Sequence, residues 1–215
     1  MSTAFLLLRF DRYLLTFDLK QAFLQLKIRQ EDTSKLLFLW YSDVLKGAQS
    51  LVGYRFLRLP FGLRFSPFIL MIALYIILMQ SESPTEDPKE LKKGLYDLAY
   101  MDNLAWTTDS VDSLEFAYRN SVEIFKDYGF RLQQFNTNFH ELQTRIDTEY
   151  LAESEHHCKL FGLMWVKETD KIKVKSLELD ENAKNKRSVL GSLNSVFDLF
   201  GICLPVLNRA RLFFT

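Results

Sequence analysis

From Phe68 to Met79 the chain is apolar without a break, reading Phe-Ile-Leu-Met-Ile-Ala-Leu-Tyr-Ile-Ile-Leu-Met. Such a segment must leave water, and its length decides where it goes. A membrane span needs about 20 residues of this kind, so the expected solution is a helix buried against another layer of the same molecule. Ser66-Pro67 supplies a start, with Ser as N-cap and Pro in the first turn, and the helix should run to about Gln80. The apolar run before Arg9 is too short for a signal-peptide core, and Arg9, Asp11 and Arg12 follow it at once. An intracellular protein, cytoplasmic or nuclear, with no membrane partner is therefore expected.

The layer that covers this helix should be a sheet. Tyr13 to Phe17 is aromatic and β-branched and stops at Asp18, as a strand does, and Leu19 to Leu26 can form a short helix or tight turn. Leu36–Tyr41 and Leu51–Leu59 read as two more strands that could pair around a loop at Gly47, before Pro60, Gly62 and Pro67 punctuate the chain. Ser81 to Pro88 reads as a polar loop. Leu95–Met101 and Leu104–Thr108 flank Asp102-Asn103 as the arms of a hairpin flank its turn. Ser110 to Tyr128 is the best helix: Ser110 caps it, Asp112 and Glu115 lie near its positive end, and Gly129 stops it. A further hairpin is expected from Phe161–Val166 and Lys171–Val174, and a last amphipathic helix from Asn185 to Phe200. With 215 residues, 48% of them hydrophobic, one sizeable core and a second small lobe are within reach, and disorder is not. The order of elements predicts an α+β fold, an antiparallel sheet with helices on one face.

Few residue types carry chemistry. Cys158 and Cys203 make no disulfide framework and no paired-thiol motif, so two free thiols in a reducing compartment are expected. His156-His157-Cys158 has no second ligand cluster at zinc spacing and reads as an exposed polar loop. Lys171, Lys173 and Lys175 alternate along one strand face and could meet a phosphate backbone, although a solvated strand face explains them nearly as well. The net charge of +0 lowers the expectation of a nucleic-acid partner without removing it, since a basic face can hide in a neutral total. Asp18 ends an apolar strand and Asp102 tips an apolar hairpin, places where a carboxylate is costly unless it meets water or a cation. Carboxylates on neighbouring strands can hold paired Mg²⁺ ions about 4 Å apart, the recurring device of phosphoryl transfer. Turn caps would also account for both.

Four stretches in order carry a resemblance: Asp18-Leu-Lys-Gln-Ala-Phe23-Leu-Gln-Leu, Leu59-Pro-Phe-Gly62-Leu-Arg-Phe-Ser66-Pro67-Phe, Tyr100-Met-Asp102-Asn103-Leu and Leu160-Phe-Gly162-Leu-Met-Trp165. Together they resemble the successive polymerase motifs of reverse transcriptases, and more specifically the BEL/Pao class of long-terminal-repeat retrotransposon polyproteins. Tyr54-Arg55-Phe56, Gly129 to Asn138, and Lys186-Arg187-Ser188 followed by Phe197 to Gly201 support that class. The likeness covers nearly the whole chain. It implies a polymerase palm with partial fingers over residues 1–165 and the start of a connection or thumb over 166–215.

The resemblance also implies roles. Asp18 and Asp102 would bind a two-metal Mg²⁺ site. Phe23 would stack under the incoming sugar and exclude a 2′-hydroxyl; a plain core Phe is the competing reading. Pro60, Phe61 and Gly62 would pack on the nucleotide, and Tyr100 and Met101 would border the primer end. Phe161, Gly162 and Leu163 would grip the primer. The partners implied are an RNA or DNA template, a primer and deoxynucleoside triphosphates; the sequence sets no oligomeric state. One departure stands out: Asn103 occupies the second position of the catalytic Tyr-x-Asp-Asp turn. The expected activity is RNA-directed DNA synthesis impaired by Asn103 and by largely absent fingers. The rival expectation is a non-catalytic relic that at most binds nucleic acid.

Overall fold

The computed structural model describes residues 6–80, 89–151, 157–160, 162–174, 185–198 and 201–213. It is a mixed α/β structure of small antiparallel sheets and several helices. In chain order the elements are β1 (Tyr13–Leu19), α1 (Ala22–Gln25), β2 (Leu37–Tyr41), β3 (Leu51–Arg55), α2 (Ser66–Gln80), α3 (Lys89–Asp97), β4 (Asn103–Thr108) and α4 (Val111–Asp127). They continue with β5 (Leu132–Thr137), α5 (His140–Arg145), β6 (His157–Leu160), β7 (Leu163–Val166), β8 (Lys171–Lys173), α6 (Lys186–Asn194) and α7 (Leu204–Leu212).

The centre is a three-stranded sheet in the order β4-β1-β5, antiparallel throughout. Side chains alternate across a strand, and β1 uses both faces. Leu15, Phe17 and Leu19 point into the main core, where they meet Leu70, Leu74 and Leu78 of α2, Leu91 and Leu95 of α3, and Leu114, Ala117 and Phe125 of α4. Leu14 points the other way, into a second core with Leu8, Leu98, Ala105, Leu160, Leu163 and Trp165. That second core lies under another antiparallel sheet, β6-β7-β8. The expectation of helices on one face holds for the main core, while the opposite face of the sheet is covered by strands. The hairpin β2-β3 forms a third, two-stranded sheet.

Strand β5 carries a bulge. Asp18 pairs with Gln133 and Thr16 with Asn136, so Gln134 and Phe135 together oppose Phe17. Gln134 takes a positive φ of 57° there, as the first residue of such a bulge does. Phe17 and Phe135 stack at 4.7 Å across it.

Several elements differ from expectation. Leu95–Met101 is not a strand: Lys89–Asp97 is a helix that buries Leu91 and Leu95. Its apolar positions fall at helical spacing, but its polar first half hides them. The two central residues of the hairpin turn are Met101 and Asp102, with Tyr100 paired to Asn103. Ser66 is the first residue of α2 and not its cap; its buried hydroxyl donates to the Pro60 carbonyl at 2.8 Å. Helix α2 buries Leu70, Leu74, Ile77 and Leu78, while Phe68, Ile72, Tyr75 and Met79 stay exposed, so only one side of it is covered. No described helix is long and apolar enough to cross a membrane. The stretch expected as a polar loop at Cys158 is strand β6, with Cys158 half-buried. The final helix ends at Asn194, short of Phe200, and Pro205 opens a separate helix, α7, because Pro is at home in a first turn. The expected polar loop Ser81–Pro88 lies outside the described residues, as do His156, Phe161 and Lys175.

Candidate active site

Asp18 is the penultimate residue of β1, on the same face as Leu14 and Thr16. Directly across from it stand Asn103 of β4 and Gln133 of β5. The three polar side chains therefore form a row at one end of the central sheet. Asp102 precedes Asn103, and the Leu19 N–H donates to the Asp102 carbonyl at 2.9 Å, which ties the turn to the end of β1. The turn itself is closed by Tyr100 and Asn103, whose N–H groups donate to each other's carbonyls at 2.9 and 3.0 Å. Met101 takes φ 57° at the first central position. A positive φ at that position alone is the type II′ pattern, which favours Gly there. Holding Met in it costs about 1–2 kcal/mol, a strain that the surrounding strands must offset.

The electrostatics of the pair follow from its position. Burial pushes the Asp18 carboxyl up to about 6, and the Asp102 charge beside it pushes in the same direction. Among the described residues no ion pair reaches either carboxylate. Asn103 Nδ2 donates to Asp102 Oδ1 at 3.2 Å, so one of its oxygens already has a neutral donor. Two adjacent carboxylates, one of them reluctant to ionise, gain from a shared cation. Among the described residues no group of three or more His, Cys, Asp or Glu could hold a metal ion.

The other residues singled out from the sequence divide into two sets. Phe23 in α1 is buried, 7% exposed, and meets Phe61 edge-on at 4.9 Å; Phe61 is 65% exposed. Gly62 has φ 89°, open only to Gly at no cost. The Ser66 bond to Pro60 fixes this turn on the start of α2. Gly62, Phe61 and Phe23 thus make one unit beyond the end of β1. Gly162, at φ 87°, begins a second unit: its turn joins β6 to β7, and the Phe197 ring stands 3.0 Å from where a Cβ would lie. Leu163 is buried in the second core, so only its backbone faces outward contacts. Phe161 lies outside the described residues.

Sequence reasoning missed a polar cluster on the Asp18 face. Lys167 is buried, and its Nζ donates to Asn136 Oδ1 at 3.1 Å. Burial pushes the Cys158 thiol up to about 11, against the Lys167 charge and a Thr16 hydrogen bond that pull it down. Thr16 and Asn136 sit between core positions of β1 and β5, a signal that could have marked them. The partner lysine is distant in sequence and has no local signal.

The model of the family described as reverse transcriptase (RNA-dependent DNA polymerase) matches residues 6–175. Comparison with curated proteins gives no match.

Proposed function

We propose, for a chain that belongs to the reverse transcriptase (RNA-dependent DNA polymerase) family, that it is the polymerase domain of a BEL/Pao-class long-terminal-repeat retrotransposon, weakened by Asn103. The observation that carries this reading is the meeting of Asp18 and Asp102 at one sheet end, with Asp18 held up to about 6 by burial and by its neighbour.

Asp18 and Asp102 are the residues to hold Mg²⁺. When bound, the ion would neutralise charge developing on the transferred phosphate and favour ionisation of the primer hydroxyl. The chain's own residues bind and orient. Phe61 offers an exposed ring to the nucleotide, and Phe23, fixed edge-on behind it, limits how close the sugar can come. Gly62 lets the backbone approach the base pair. The Tyr100–Met101 turn borders the primer end, and the Gly162 turn meets the primer from the second sheet. Residues 1–165 would make up the palm with partial fingers and 166–215 the start of a connection or thumb. The partners are an RNA or DNA template, a primer and deoxynucleoside triphosphates.

Asn103 keeps the size of Asp and loses its charge, and its amide donates to Asp102. Both effects lower the negative charge available to a cation. The same hydrogen bond favours a second reading, a non-catalytic relic that binds primer–template without extending it. Primer extension on an RNA template with a DNA primer separates these. Weak Mg²⁺-dependent incorporation, abolished by Asp102→Ala, supports the weakened polymerase. Salt-dependent binding with no incorporation supports the relic, and neither binding nor incorporation overturns both.

A further inference from the structure

The segment ahead of β1 and the far end of the second sheet are clasped together. Arg9 Nη1 donates to Asp170 Oδ1 at 2.6 Å and Arg9 Nη2 to the Asp170 carbonyl at 2.8 Å. The same carboxylate oxygen accepts from the indole N–H of Trp165 at 2.8 Å, and Trp165 is fully buried. Asp170 takes φ 48° in the turn between β7 and β8, a conformation that Asp tolerates better than most residues. Leu8, next to Arg9, is buried in the second core. Close by, Lys167 reaches from the same turn to Asn136 of β5. Two charged side chains therefore pin the Lys167–Asp170 turn, one to the chain before β1 and one to β5.

The Gly162 turn lies at the other end of β7. A strand of that length spans about 13 Å at about 3.3 Å per residue. At that end the β6–β7 ladder pairs Leu160 with Leu163, both side chains lie in the second core, and the Phe197 ring stands over Gly162. Whatever angle the pinned end takes, the short and stiff β6-β7-β8 sheet passes to the Gly162 turn.

We propose that Arg9 and Asp170 are positioning residues for the primer: by clasping one end of the β6-β7-β8 sheet they set where the Gly162 turn meets the primer terminus. The inference rests on the polymerase reading, since that reading puts the primer at this turn. It assigns a role to a contact between parts of the chain far apart in sequence. A bidentate Arg contact suits the task because its planar fork fixes direction as well as distance.

The test uses the chain with Cys203→Ser, which leaves Cys158 on β6 as a reporter of how the sheet sits on β1. Arg9→Ala, Arg9→Lys and Asp170→Asn are compared with the parent. Asp170→Asn keeps an oxygen for the Trp165 indole and tolerates the turn, so it guards against simple misfolding. Two quantities are read. One is the rate of Cys158 modification by a soluble aromatic disulfide. The other is the affinity for a recessed primer–template relative to the template strand alone. Arg9→Ala should speed modification several-fold and weaken primer–template binding about three- to tenfold, the scale of one lost anchoring contact. Affinity for the template strand should not change, and Arg9→Lys should fall between. Unchanged modification overturns the clasp. Faster modification with equal losses on both nucleic acids, or with none, overturns the positioning role and leaves the polymerase reading standing. A parent that binds no primer–template overturns that reading, and the positioning role with it.

Discussion

At Asp18, burial and a neighbouring charge act in one direction, and the sign of the result can be worked out. The folded carboxyl titrates at about 6 against an ordinary 3.8, so between these values the folded state keeps a proton that the unfolded chain has released. Stability from this group is present below about 3.8 and is lost as pH rises through about 6. Asp18→Asn removes the cost, and should stabilise the chain at pH 7.5 by on the order of 1–2 kcal/mol after allowing for partial solvent screening. Thermal unfolding of both proteins across the acid range checks this: the gap should close towards pH 4, and a gap independent of pH would assign the cost to something else. Gly94 poses a steric problem instead. A Cβ there would overlap Trp106 Cζ3, part of a rigid ring that cannot rotate away cheaply. Gly94→Ala gains about 1 kcal/mol of helix propensity but loses about 1–3 kcal/mol to overpacking. The expected outcome is a lower melting temperature, and a stabilised variant would mean that α3 shifts freely on β4.

Among elements, legibility followed how local the determining signal is. Helix α4 was readable because Ser110, the apolar spacing and Gly129 all lie within it; Ser110 Oγ does accept from the Ser113 N–H. Helix α3 was not, since its first half is polar on the outside and its apolar positions gain meaning only against the remote residues of the main core. Strand β6 is recognisable chiefly by its partner β7. The stretch Asn136-Thr-Asn138 carries part of the family likeness, but its sequence does not disclose its work, because its partners are remote. Asn138 Oδ1 accepts from the Leu14 N–H and its Nδ2 donates to the Arg12 carbonyl, both at 2.9 Å. The side chain thereby takes the place of a further β5 residue beside β1. Asn138→Ala leaves the Leu14 N–H of β1 and the Arg12 carbonyl just ahead of it without these partners and should cost about 1–3 kcal/mol. Urea unfolding should show a lower midpoint with an unchanged slope, and an unchanged midpoint would show that water replaces the amide at no cost.

For the whole molecule, the neutral total conceals an uneven distribution: from Lys27 to Arg64 cations outnumber carboxylates, around the exposed β2-β3 hairpin. Composition alone was therefore a poor guide to partners, while the ordered motifs brought Asp18 and Asp102 to notice although a long stretch of chain separates them. Spacing could not have brought them together; the antiparallel register sets Asp18 against Asn103, the residue after Asp102. What neither motif nor spacing disclosed is the Asn103 hydrogen bond to Asp102, which depends on a side-chain orientation. The proposed polymerase activity requires those two carboxylates to form a weak divalent-cation site that Asn103 limits. Calorimetric titration of Mg²⁺ at pH 7.5 into the parent, Asp102→Asn and Asn103→Asp tests it without requiring catalysis. The expected result is weak binding by the parent, none by Asp102→Asn, and clearly tighter binding by Asn103→Asp. The same affinity in all three proteins would contradict it.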